Sequence, residues 1–338
     1  MTTLKYQTVI IGGGVAGMAA ATELHKSGSK VVLIEGNKKL GGQVNNWYKV
    51  FPNFRPASEI VNSLSTNLLK DKIPVLLETS ITHIESNSGN YILKSNQGQV
   101  IEAETVLLAT GFNTFDPSGK EEYGYGIYPN VLTSVELEQR LKTNTNGISP
   151  KRIALVHCVG SRDEKVNRLH CSKVCCVSAV KQAIELKEFY PNAEIICLYM
   201  DLRMYDNGFE ELYRDAQLQH NIKFIRGRLS ECALNIEKDL VLKIQDTLAG
   251  LPMKLTVDQL ILMVGKEAHQ LPQFDESIII EKASHGFIKP ADSHLNPNTT
   301  SQPGIFCCGT TSGPKTIQET ISDARSASLA VCDYLNKK

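Results

Sequence analysis

Apolar residues in this 338-residue chain gather in short, dense runs separated by polar stretches. "TVII" (Thr8 to Ile11), "KVVLIEG" (closing on Glu35), "AETVLLATGF" (ending at Thr110 and Gly111), "KRIALVHC" and "EIICLYM" are β-branched and nearly unbroken. Such runs predict strands buried on both faces, as in a mostly parallel sheet. "MAAATELHKSG" has helical composition and ends at Gly28, and "SKVCCVSAVKQAIELKEFYP" predicts a second helix. A long helix is predicted near the C-terminus, beginning near Pro314. The alternation of strand and helix places the chain in the α/β class.

The first strand, turn and helix carry a dinucleotide fingerprint. Gly12, Gly14 and Gly17 follow the strand, and Glu35 lies 23 positions after Gly12. In such a unit the glycines let the backbone approach a pyrophosphate at a helix N-terminus, and the acid accepts from a ribose hydroxyl. "KKLGGQVNN" adds Gly41, Gly42 and Gln43 where FAD enzymes of the disulfide-reductase type bring backbone close to diphosphate and flavin. Thr110 and Gly111 resemble the ATG element that leaves a flavin domain. "SQPGIFCCGTTSGPK" resembles the second FAD element, with a strand ending at Gly309. Together these four elements favour FAD over NAD at this site.

At one position the FAD pattern is broken. The second element usually has an acid after its glycine to hold the ribitol, and Thr310 stands there instead. The helix expected from Pro314 would aim its positive end at the flavin. Lys315 is a candidate for tuning the flavin, with a solvated lysine at a helix start as the alternative.

The FAD elements lie on both sides of a middle stretch, which predicts an inserted domain. The boundaries expected are 1–115 with 267–338 for the FAD domain and 116–266 for the insert. The insert also begins as a nucleotide-binding unit, but its strand-to-helix link, "HCVGSRDEKVNRLHC", keeps only Gly160. Nicotinamide binding there is not expected.

Bulk composition narrows the function. Hydrophobic residues make up 42% and charged residues 21%, and the 36 basic side chains balance the 36 acidic ones. No net field is present to hold a nucleic acid or an anionic membrane. No apolar run approaches the roughly 18 residues that span a bilayer. Three consecutive glycines and a lone Lys5 argue against an export signal. Nine cysteines then point to a reducing, cytoplasmic setting, where clustered thiols bind metal or do redox work.

Four of those cysteines, Cys158, Cys171, Cys175 and Cys176, lie in the stretch that replaces the second glycine loop. Cys158 is expected at a strand's C-terminal end, where open α/β sheets hold ligands. Cys171 and Cys175 are spaced i and i+4, which would put both on one face of a helix. Four thiolates on one crevice suit either an iron–sulfur cubane or a tetrahedral zinc, and redox-active or unligated thiols are a third possibility. A neighbouring flavin favours the [4Fe-4S] cluster. Cys175 and Cys176 would diverge by about 100° in a regular helix, which leaves His157 or His170 as a substitute ligand. Cys197, Cys232, Cys307, Cys308 and Cys332 read as packing residues. Tyr205, Phe209 and Tyr213 read as a buried aromatic stripe rather than a partner-facing one.

The central block, from "HCVGSRDEKVNRLHCSKVCCVSAVKQA" through "YMDLRMYDNGFEELYRDAQLQHNIKFIRGR" to the "GPK" loop, resembles the heterodisulfide reductase family in its flavin-bearing A chain. The resemblance covers nearly the whole chain. It implies a two-domain, thioredoxin-reductase-like flavoprotein with a Rossmann-type FAD domain and an inserted second Rossmann-like domain. FAD and a [4Fe-4S] cluster are implied, with Cys158, Cys171, Cys175 and Cys176 as ligands and Lys315 as the flavin-loop lysine.

No Cys-x-x-Cys-x-x-Cys-x-x-x-Cys-Pro run is present, so this short form resembles the A subunit of sulfur-oxidising heterodisulfide reductase-like complexes. The partners this implies are iron–sulfur B and C subunits, lipoate-binding proteins and a second copy in a homodimeric core. The role implied is electron transfer, with disulfide or sulfane-sulfur chemistry on a partner. The A subunit of a quinone-interacting oxidoreductase shares the cysteine block. A thioredoxin reductase acting on NAD(P)H would need a Cys-x-x-Cys in the insert and a second glycine fingerprint. A structural core with a vestigial flavin site would be colourless.

Overall fold

The computed structural model of the protein describes residues 3–144 and 149–338. They divide into two compact units: residues 3–45, 58–113 and 267–338 form the first, and 46–57 with 114–266 form the second.

The first unit opens with β1 (Leu4–Ile11), α1 (Val15–Lys26) and β2 (Val31–Ile34). It continues with α2 (Ala57–Lys70), β3 (Val75–Leu76), β4 (Ile81–Asn87), β5 (Asn90–Ser95) and β6 (Val100–Leu108). β1 lies between β2 and β6 in parallel register, with Thr8 opposite both Val31 and Thr105. Both threonines are fully buried, and their hydroxyls satisfy one another at 2.9 Å, which removes the cost of two polar groups in the core. Val9, Val32 and Val106, one position on in the same register, pack together in the core on the opposite face of the sheet. Each such aliphatic side chain contributes about 1.5–3 kcal/mol through its burial.

The second unit contains β7 (Val131–Thr133), α3 (Ser134–Thr143), β8 (Arg152–Val159), α4 (Cys175–Phe189), β9 (Glu194–Tyr199) and α5 (Phe209–Leu218). β10 (Lys223–Leu234), β11 (Leu240–Asp246), β12 (Leu251–Val257) and β13 (Gln259–Val264) complete it. The sheet order is β7-β13-β8-β9-β10-β11-β12. The strands from β7 to β10 are parallel and the last three form an antiparallel meander. Strand alternation sends Ile153, Leu155 and Cys197 towards the helices and Ala154, Val156 and Leu198 towards the meander. Both faces are therefore covered, which is why "IALV", from Ile153 to Val156, is apolar throughout.

The chain then returns to the first unit as β14 (Gln273–Phe274), β15 (Ile305–Cys307) and α6 (Ile317–Lys337). This completes an eight-stranded sheet of order β14-β4-β5-β6-β1-β2-β3, with β15 beside the C-terminal end of β6. Cys307 and Cys308 are wholly buried there. No helix among the described residues is long and apolar enough to cross a membrane.

One segment falls outside the boundaries expected from sequence. Asn46–Ala57 clusters with the second unit, not the first. Its aromatic residues explain this: Tyr48 packs edge-on to Phe189 at 6.0 Å and Phe51 to Phe209 at 5.4 Å. Tyr48 N donates to Glu138 Oε2 at 2.8 Å, and Lys181 Nζ donates to the Lys49 carbonyl at 2.9 Å. Tyr205 lies ahead of α5 and is 68% exposed, whereas Phe209 is buried and Tyr213 packs on Phe224 at 4.7 Å. The expected three-residue stripe is thus two core residues and an exposed tyrosine off the helix.

Candidate functional sites

In the first unit, the glycines of the fingerprint have three different physical roles. Gly12 has φ +113°, and a Cβ there would lie 2.3 Å from the Ala109 carbonyl oxygen. A Cβ on Gly17 would lie 1.9 Å from Gly12 O, so this glycine allows α1 to pack against the turn. Gly14 differs, because a Cβ there would meet nothing within 4 Å. It caps α1 without a side-chain hydrogen bond, leaving the helix N-terminus open. A tight turn, an approachable backbone and a close helix contact are the three needs of a dinucleotide site.

The other first-unit candidates gather around this turn. Glu35, buried just past β2, accepts from Gly13 N at 2.7 Å through Oε2 and from Asn37 N and Nδ2 at 2.8 and 2.7 Å through Oε1. Its carboxylate therefore braces the glycine turn. Gly41 N donates to Gly13 O at 2.8 Å, and a Cβ on Gly42 would point at Gly14 Cα from 3.2 Å. Gln43 Nε2 reaches the Phe112 carbonyl at 3.4 Å. Gly111 N donates to Thr311 Oγ1 at 3.1 Å, and the Thr110 hydroxyl is buried without a hydrogen-bond partner. An orphaned hydroxyl beside an open helix N-terminus fits a polar, phosphate-bearing cofactor.

The second FAD-like element is organised differently from expectation. α6 starts at Ile317, not near Pro314, because Thr316 and Glu319 form a reciprocal capping box. Pro314 and Lys315 lie in the preceding loop. Lys315 Nζ donates to Gly309 O at 2.8 Å and Ser312 Oγ at 2.7 Å, and pairs with Asp323 Oδ2 at 3.4 Å. Asp323 also accepts from Gly309 N at 2.6 Å and Asn298 Nδ2 at 2.9 Å. Thr310 follows Gly309, and the nearby carboxylate is supplied by Asp323 on α6, a residue that sequence reasoning missed.

In the second unit, the link between β8 and α4 is not a phosphate loop. A Cβ on Gly160 would lie 2.0 Å from Cγ of Phe115, so this glycine accommodates an aromatic ring rather than a ligand. Asp201 follows β9 much as Glu35 follows β2, but its carboxylate pairs with Arg162 at 2.7 Å and Arg226 at 3.0 Å. Cys158, Arg162, Asn167 and Lys173 all have positive φ in this link. Non-glycine residues adopt that conformation only where surrounding structure enforces it. One enforcing contact is a buried ion pair between Lys120 and Asp163.

The link delivers the four cysteines to one end of the sheet. Cys158 Sγ and Cys175 Sγ are 4.0 Å apart, and Cys176 Sγ donates to the Asp201 carbonyl at 3.6 Å. α4 begins only at Cys175, so Cys171 lies ahead of the helix and does not share its face, contrary to the i, i+4 expectation. The positive φ of Lys173 turns the chain there, and Cys171 Sγ accepts from Lys173 N at 3.3 Å. His170 directs Nε2 to the Lys266 carbonyl at 2.9 Å, whereas His157 lies against Cys176.

Mutual hydrogen bonding splits the thiols. The Cys175 thiol lowers Cys158, and the same neighbour followed by His157 draws Cys176 down to about 4 against the effect of burial. Cys175 is pushed well up by those two neighbours and by burial.

Among the described residues, no three His, Cys, Asp or Glu side chains converge as they would on a single metal ion. The 4.0 Å between the Cys158 and Cys175 sulfurs is close to the spacing of thiolates on one tetrahedral ion, so the zinc and cubane alternatives both stand. The surroundings fit an anionic, acceptor-rich group: Ser161 Oγ and Arg162 Nη1 are buried without hydrogen-bond partners. Sequence reasoning missed Ser161, Arg162 and Asp201. The polar run "GSRD" where a glycine loop was due was the available signal.

The chain is 39% identical over 243 residues to the A subunit of the H(2)/formate:CoB-CoM heterodisulfide,ferredoxin reductase of Methanococcus maripaludis, covering 68% of this chain and 37% of the relative. It is 29% identical over 415 residues to the iron-sulfur A subunit of the CoB--CoM heterodisulfide reductase of Methanocaldococcus jannaschii, covering 96% of this chain and 63% of that protein. It therefore spans less than two thirds of the length of these curated relatives. Among solved structures it is similar to thioredoxin reductase of T. acidophilum, with a TM-score of 0.71, 17% identity, and coverage of 98% of this chain and 99% of that one. Thioredoxin reductase of Lactococcus lactis matches with a TM-score of 0.71 and 21% identity, covering 98% of this chain and 100% of that one. The fold is thus that of a thioredoxin-reductase-like flavoprotein with two Rossmann-type units. The family described as pyridine nucleotide-disulphide oxidoreductase matches residues 6–327, nearly end to end, and the chain belongs to it.

Proposed function

We propose that this chain is an FAD- and [4Fe-4S]-carrying electron-transfer subunit of a heterodisulfide reductase-like complex. The observation that carries the proposal is the replacement of the second unit's phosphate loop by four cysteines ringed with buried, unpartnered donors. Similarity to the A subunits of heterodisulfide reductases supports the same reading.

Gly12, Gly14, Gly17, Gly41 and Gly42 would hold the FAD diphosphate, and Glu35 keeps their turn in shape. Thr110, Gly111, Gly309, Thr310 and Pro314 belong to the loops nearest that turn in the family pattern. Lys315, fixed by Gly309 O and Ser312, would set the field at the flavin, and Asp323 limits that lysine's reach. Cys158, Cys171, Cys175 and Cys176 would hold the cluster. Bound FAD supplies conversion between two-electron and one-electron transfer. The chain itself contributes position, charge and exclusion of water.

Disulfide or sulfane-sulfur chemistry would take place on partners: B and C iron–sulfur subunits and lipoate-binding proteins, around a homodimeric core in the cytoplasm. Direct nicotinamide binding in the second unit is disfavoured, because the Phe115 ring fills the space over Gly160 and Asp201 is held by two arginines.

The test is a visible spectrum of anaerobically purified protein with iron and zinc quantified, on wild type and Cys171→Ala. Flavin bands over a broad iron–sulfur shoulder, with about four irons per chain lost in the variant, support the proposal. Flavin without iron, unchanged by the substitution, rejects the cluster.

A further inference from the structure

The donors around the cysteines are not equivalent, and Arg162 differs from the rest. Its Nη2 donates to Asp201 Oδ2 at 2.7 Å, while Nη1 is buried and unpartnered. Asp201 is itself tied down, accepting from Arg226 Nη2 at 3.0 Å. The Arg162 backbone is fixed as well: φ is +55°, and its N–H donates to the carbonyl of His170, the residue before Cys171, at 3.0 Å. The guanidinium is thus held at one edge by the carboxylate of Asp201, whose backbone carbonyl lies 3.6 Å from Cys176 Sγ. Of the charged groups at this end of the sheet, Arg226 faces Asp201 and the Met200 carbonyl, and Lys120 is committed to Asp163 and Glu122. Of these three cations, Arg162 is the one whose side chain keeps a buried nitrogen without a partner.

We propose that Arg162 sets the reduction potential of the iron–sulfur group held by Cys158, Cys171, Cys175 and Cys176. The proposal rests on the cluster assignment above. An electron added to a thiolate-held cluster adds one negative charge in a dry, low-dielectric setting. A fixed cation and a hydrogen-bond donor at that place stabilise the reduced form more than the oxidised one and raise the potential. Asp201 positions Arg162 by fixing the outer edge of its fork, which leaves Nη1 directed inwards. Such a device lets the chain hold an electron on the cluster that an all-cysteine environment would return to the donor.

The experiment is an EPR-monitored redox titration of the full chain, purified anaerobically, for wild type, Arg162→Gln and Arg162→Lys, with iron counted in each. The expected result is iron content equal to wild type in both variants, a markedly more negative cluster potential in Arg162→Gln, and an intermediate value in Arg162→Lys, which keeps the charge but loses the fork. Potentials equal to wild type in both variants overturn the inference while leaving the cluster assignment standing. Equal shifts in the two variants also overturn it, since packing and not charge would then be responsible. Loss of iron from both variants assigns Arg162 to folding of the link and overturns it as well. A wild type without iron overturns the cluster assignment, and this inference with it.

Discussion

Lys120 Nζ and Asp163 Oδ2 are 2.6 Å apart, with side-chain exposures of 2% and 3%, joining residues 43 positions apart in the chain. Asp163 belongs to the β8–α4 link, and it also accepts from Lys165 N at 3.1 Å. Lys120 in turn lies 4.8 Å from the Tyr123 ring centroid and pairs with Glu122. The cysteine-bearing link is therefore fastened by a buried charge rather than by apolar packing alone.

Lys120→Met should destabilise the second unit by about 2–4 kcal/mol, because it removes the nearer cation of the buried Asp163 carboxylate and leaves only Arg228, at 3.5 Å. The double variant Lys120→Met with Asp163→Asn should recover part of that loss. Denaturant unfolding of the four members of the cycle measures both effects. Against the effect of burial, the pair keeps Asp163 below and Lys120 above their ordinary values. Its contribution is present across neutral pH, is lost as acid titrates Asp163 below its unfolded pKa, and is lost again as alkali titrates Lys120.

The fingerprint glycines should separate under substitution. Gly17→Ala places a methyl 1.9 Å from Gly12 O and should lower Tm sharply, since the neighbour is backbone. Gly14→Ala meets no protein atom and has φ −74°, which alanine adopts freely. It should keep Tm within a few degrees yet purify with little flavin. Retention of full flavin absorbance by Gly14→Ala would mean that the open space above this residue does not hold the diphosphate.

Not every buried cysteine should matter to colour. Cys197 is wholly buried in β9, and burial pushes its thiol up, with the nearby Cys176 adding to the effect. Cys197→Ala should leave iron content unchanged and cost roughly 1 kcal/mol or somewhat more as a small cavity. Cys176→Ala should lose the iron–sulfur absorbance. Iron analysis and spectra of the two variants distinguish packing from ligation.

Glu185, fully buried on α4, introduces a pH dependence of its own. Burial foremost, opposed by Lys181 at 3.1 Å and reinforced by Glu138, pushes its carboxyl up to about 8. The folded state thus binds this proton more tightly than the unfolded chain. The associated stability is fully present below the unfolded pKa of about 4.5 and is lost as pH rises through about 8. Wild type should lose stability between about pH 5 and 8 more steeply than Glu185→Gln, in unfolding curves taken at a series of pH values. Parallel profiles for the two proteins would show that Glu185 is not the titrating group.

Local patterns in the sequence were sufficient wherever a residue's role depends on its near neighbours. Gly12, Gly14, Gly17 and Glu35 were legible because a tight turn between strand and helix needs those residues within one short unit. The buried strands of both units were legible because "VII" and "IALV" have no polar face to offer water. The four cysteines were legible as a group through their spacing, and Gly160 alone could not make a second phosphate loop.

Other features depend on residues far apart in the chain, and only the tertiary structure decided them. Cys171 leaves the helix because Lys173 turns with positive φ, a conformation imposed by the packed link and not preferred by lysine. Asn46–Ala57 joins the second unit because Tyr48 and Phe51 find Phe189 and Phe209, far along the chain. Asp323 reaches Gly309 across the start of α6, where sequence order pointed to Thr310. Arg162 meets Asp201 because β8 and β9 are adjacent parallel strands whose C-terminal ends open on the same side. Side-chain periodicity identifies which surfaces of an element are apolar, whereas partners for buried charges are set by which elements pack together, and that choice belongs to the whole fold.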